Sequence, residues 1–82
     1  MEQSSILNKL KEAATQKRLA EELSTQIRAA SANGRNQEDI IDSMARSAEI
    51  QPGTINMILK GKIKSPPEKR LEGFAKALSS YQ

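Results

Sequence analysis

The chain has 82 residues, enough for one small domain, with 13 basic and 10 acidic side chains and a net charge of +3. It holds no Cys and no His. That excludes disulfides, thiolate metal sites, the usual zinc ligands and His-based proton transfer, so neither an enzyme nor a cofactor, metal or small-molecule substrate is expected.

No apolar run reaches the length of about 18 residues that spans a membrane. The start lacks a basic-then-apolar leader pattern, which points to the cytoplasm or to a particle assembled there, such as a phage particle. Charge is unevenly spread. Residues 1–35 carry a net +2, residues 36–59 a net −3 and residues 60–82 a net +4. Positive charge gathers at Lys60, Lys62, Lys64, Lys69 and Arg70.

From about Ser5 to Ala30 good helix formers dominate, with no Gly or Pro between them. Ser4 or Ser5 is placed to cap the start. Apolar residues fall at helical spacing at Ile6, Leu7, Leu10, Ala13 and Ala14, and again at Leu19, Ala20, Leu23, Ile27 and Ala30. Continuing the first frame puts Lys17 and Ser24 at core positions, which disfavours a long two-stranded coiled coil. One helix with a drifting stripe, or two helices meeting near Gln16–Arg18, both fit. The paired carboxylates Glu21 and Glu22 sit among basic residues on this helical stretch and read as solvated.

Asn33-Gly34 is a stop, since both residues tolerate a positive φ. Asn36 then caps a helix with Glu38 and Asp39 in its first turn and a stripe at Ile40, Ile41, Met44, Ala45 and Ala48. The pattern pauses at Glu49–Gln51. Pro52 suits the first turn of the next helix, Ile55, Ile58 and Leu59 give its stripe, and Gly61 its C-terminal cap. Within this stretch Arg46 has a phosphate or the carboxylates of Asp42 and Glu49 as partners. A short loop over 62–65 precedes a last helix, capped by Ser65 and opened by Pro66-Pro67, with a core face at Leu71, Phe74, Ala75 and Leu78. Gly73 costs that helix some propensity. Tyr81, near the end, is expected at a frayed surface.

Two short helices joined by a tight turn need a small residue where they approach, here Ala45, and apolar residues on facing sides, here Met44, Ile50, Ile55 and Ile58. A helix-turn-helix uses this geometry to hold its second helix out from the body, ready for a major groove. The expected fold is all-α: a small helical domain with a helix-turn-helix over residues 37–61 and a long N-terminal helix. Residues 1–32 form an N-terminal helical segment for dimerisation or docking, and residues 37–82 the helix-turn-helix domain.

The spacing of Met44-Ala45, Glu49-Ile50, Ile55, Ile58 and Gly61, followed by Pro66–Leu78, resembles the Xre/Cro/lambda-repressor-like class. The resemblance spans residues 37–78, about half the chain. Glu49 departs from it, because the class has Gly at that turn. The helix before the turn starts about one turn early, and the N-terminal region has no counterpart beyond Leu23–Ala30 as a first helix. The resemblance implies that residues 52–60 form a recognition helix. Gln51, Gly53, Thr54, Asn56 and Met57 then become candidates for base contact, and Lys60, Lys62, Lys64, Lys69 and Arg70 for phosphate contact. It implies double-stranded DNA as the partner of a regulator or accessory factor, acting as a homodimer or higher oligomer through the N-terminal helix. Pro52, Gly53 and Met57 read bases poorly, so sequence specificity is expected to be modest. Residues Ile40–Leu78 also resemble helix-turn-helix-like tails of tailed-phage head-maturation proteases. That likeness implies a protein–protein assembly module that does not read DNA.

Overall fold

The computed structural model describes residues 3–32, 34–63 and 65–81. These form five α-helices and no strand: α1 (Gln3–Thr15), α2 (Leu19–Ser31), α3 (Gln37–Ala48), α4 (Pro52–Leu59) and α5 (Glu68–Ser79). The fold is all-α, and none of the helices is long and apolar enough to cross a membrane.

The N-terminal stretch is two helices, not one long helix. An unbroken helix over residues 5–30 would run about 39 Å at 1.5 Å per residue, more than the greatest extent of the molecule, 30 Å. The break falls where the first apolar frame would carry Lys17 into the core. Lys17 takes the left-handed conformation, with φ of 59°. Its N–H donates to the Ala14 carbonyl at 3.1 Å and the Arg18 N–H to the Ala13 carbonyl at 2.7 Å, the paired bonds of a Schellman ending. The chain then restarts with Leu19 at the head of a new stripe. Ser4 and Ser5 lie inside α1 and do not precede it.

Both N-terminal helices belong to the common core. Ile6, Leu10, Leu19, Leu23, Ile27 and Ala30 join residues of α3, α4 and α5, Phe74 among them, in one buried cluster. α1 and α2 therefore share their core with the other three helices. The apolar stripes expected to serve a dimer are covered within the chain by α5, α3 and α4. Gln26, the one buried polar side chain among the described residues, donates from Nε2 to Glu22 Oε2 at 3.0 Å.

α5 packs chiefly on α3 and α1. It begins at Glu68, after Pro67, and carries no side-chain cap. Ser65 does not cap it, because a residue before proline is pushed toward extended backbone and two prolines follow. Pro66 is buried instead. Tyr81 is not frayed surface. It packs against the core, with the Arg35 guanidinium 5.2 Å from its ring centroid.

Candidate nucleic-acid interface

α3 starts where local chemistry directs it. Asn36 is extended, and its Oδ1 accepts from the Glu38 N–H at 2.8 Å, with Glu38 and Asp39 in the first turn. Asn33 lies outside the described residues, while Gly34 has a φ of 84°. α3 ends at Glu49, which adopts φ 59° and ψ 44°, the left-handed conformation that glycine would take there. The Ile50 N–H donates to the Ala45 carbonyl at 2.9 Å and the Glu49 N–H to the Arg46 carbonyl at 3.2 Å. Glu49 thus makes the turn in the glycine-like shape.

α4 follows after Gln51, with Pro52 at its first position, where a missing N–H costs no helical bond. It buries only Ile55 and Ile58, against α2 and α3. Ala45 is buried in the core, and Ile50 packs on the same core. Among the described residues the backbone of α4 lies close to α2 and α3 and not to α1 or α5. Its other side is solvent-facing. Gln51, Pro52, Gly53, Asn56, Met57 and Lys60 are exposed, and Thr54 is half-buried. Met57 is 44% exposed, the one large hydrophobic side chain left exposed among the described residues. Open space surrounds the missing side chain of Gly53.

The loop after α4 is built on Gly61, with φ of 78°. The Gly61 N–H donates to the Ile58 carbonyl at 3.0 Å and the Lys62 N–H to the Met57 carbonyl at 2.9 Å, a second pair of Schellman bonds. Lys60 and Lys62 are exposed on either side of it. Lys64 lies outside the described residues. From Ile50 to Pro67 the sequence holds no carboxylate. No family model, curated protein or solved structure matches the chain.

The candidate residues divide into two groups in space. Gln51, Gly53, Thr54, Asn56, Met57, Lys60 and Lys62 belong to α4 and its flanking turns. Lys69 and Arg70 stand on α5, whose start is tied to α1 by the Lys11–Glu68 ion pair and whose backbone is not close to that of α4 among the described residues. The hydrogen bond from Lys11 to Glu68, with the charge of that carboxylate, holds the lysine pKa above its ordinary 10.5. Nothing in the residue pattern groups Lys17 with α4. The fold does so: Lys17, Leu19 and Ala20 line one dent with Ile58, Gly61 and Ile63. The only hint was the frame shift near Gln16–Arg18.

α3 has the opposite character. Glu38, Asp39, Asp42 and Glu49 are all exposed on it or at its end. Arg46 is exposed too, and among the described residues it forms no ion pair with Asp42 or Glu49.

Proposed function

We propose that this chain is a DNA-binding domain in which α3 and α4 form a helix-turn-helix and α4 enters the major groove of duplex DNA, as the resemblance to the Xre/Cro/lambda-repressor-like class implies. One observation carries the reading. α4 buries two isoleucines fully and Leu59 in part, and presents an uncharged outer face that is followed by exposed lysines with no carboxylate from Ile50 to Pro67. On this reading Gln51 and Asn56 address base edges, adenine above all. Gly53 lets the backbone come close. Lys60 and Lys62 take phosphates. Pro52 and Met57 read no hydrogen-bond pattern, so the preference among sequences is shallow. The role that fits is a regulator or accessory factor working where duplex DNA is held, in the cytoplasm or in a phage particle.

Fluorescence anisotropy with a labelled duplex over a salt series tests this. Binding must weaken steeply as salt rises, because each lysine–phosphate contact releases counterions. Lys60→Ala with Lys62→Ala should lower the salt slope by about two. Absence of duplex binding at low salt would sink the reading.

The four carboxylates on α3 and at its end, with the open Met57 side chain, favour a second reading. An assembly module would use the α3–α4 surface against a protein and ignore DNA. Sedimentation with and without duplex separates the two, and also counts how many copies bind together.

A further inference from the structure

Lys17 ends α1 in a backbone conformation that few lysines adopt. Its φ of 59° carries a steric penalty for any residue with a Cβ, and Gly or Asn ordinarily fills such a position. The α1–α2 turn that it makes is built like the turn after α4, where Gly61 holds the same place. The two turns meet at one dent, whose apolar floor includes Leu19 and Ile58.

Lys17 lines that dent directly, while Lys60 and Lys62 flank Gly61. All three are exposed, no carboxylate lines the dent, and among the described residues none of the three forms an ion pair. One cation past a helix C-terminus is explained by the helix dipole. Lys17 and the pair Lys60 and Lys62 belong to two distant parts of the chain that meet at this dent, and cations brought to one place with no carboxylate in its lining match a polyanion. Arg18 makes an internal comparison. It faces a different groove, between α1 and α2, lined also by Glu12 and Glu22.

We propose that Lys17 is a phosphate contact, so that the α1–α2 turn and the loop after α4 form one surface for the backbone of a duplex. This rests on the α4 reading above and adds a second part of the chain to it. The strained turn is then retained for the charge that Lys17 carries.

The test is anisotropy of the full chain with a labelled duplex across a salt series, alongside thermal unfolding of each variant. Lys17→Gly should lower the slope of log affinity against log salt by about one and weaken binding several-fold at fixed salt. Its melting temperature should hold or rise, since Gly accepts the positive φ without strain. Lys17→Arg should restore the slope, and Arg18→Ala should leave it unchanged. If the wild type binds but Lys17→Gly keeps the full slope, this inference is wrong and the α4 reading stands. An equal drop in slope for Arg18→Ala would also overturn it, because net charge and not a contact would then be responsible. A wild type that binds no duplex at low salt overturns both.

Discussion

A Cβ added at Gly73 would lie 2.6 Å from Ala48 Cα, 2.8 Å from its nitrogen and 2.9 Å from its Cβ. Propensity alone favours Gly73→Ala by about 1 kcal/mol in a helix interior. Overlap with backbone works the other way, because Ala48 moves only if the end of α3 moves with it. Gly73→Ala should therefore lower stability by about 1–3 kcal/mol, read as a shift in urea midpoint; a gain would show that α3 and α5 have room to spare. Glu49→Gly should do the reverse. It relieves a left-handed glutamate and should add about 0.5–1 kcal/mol, while removing a carboxylate next to the α4 turn and so tightening duplex binding. The position of Glu49 was legible, because the apolar pattern stops there. The role of Gly73 was not. It depends on a contact between residues 48 and 73, and no local pattern reports on that. Tyr81 escaped for the same reason, since its partner Arg35 is far away in the chain.

At the scale of elements, the ends that were readable are those set by a residue and its immediate neighbours. Asn36 caps α3 through its own side chain, Pro52 opens α4, and Gly61 closes it. The α1–α2 break was only half readable. The frame shift marked the place, but a lysine in the left-handed conformation carries no sequence signature. The start of α5 misled, because a serine before two prolines looks like a cap although proline geometry keeps it out of the helix. A matched pair of variants checks this. Asn36→Ala should cost about 1 kcal/mol, whereas Ser65→Ala should leave the unfolding curve where it was. Loss of stability in the second variant would mean that Ser65 holds the start of α5 after all.

Across the whole molecule, the amphipathic stripes were visible in the sequence, but a stripe does not name what covers it. The N-terminal stripe had the look of an interface, and the chain itself covers it. Ile6, Leu10 and Ala13 are buried, and α1 lies mainly on α5. Each large apolar side chain of this kind contributes about 1.5–3 kcal/mol, against a total stability of about 5 kcal/mol at the low end for domains. A chain lacking residues 1–18 should accordingly lose its cooperative thermal transition. A normal melt would show that α2–α5 fold without α1. The slight anchoring of α4 has a consequence of another kind. With two fully buried isoleucines and, among the described residues, backbone close to α2 and α3 alone, α4 is the element that local opening reaches most easily. Its amide hydrogens should exchange with solvent well before those of α1, α3 and α5. Bound duplex should slow them most, so the helix least protected in the free chain would record the encounter.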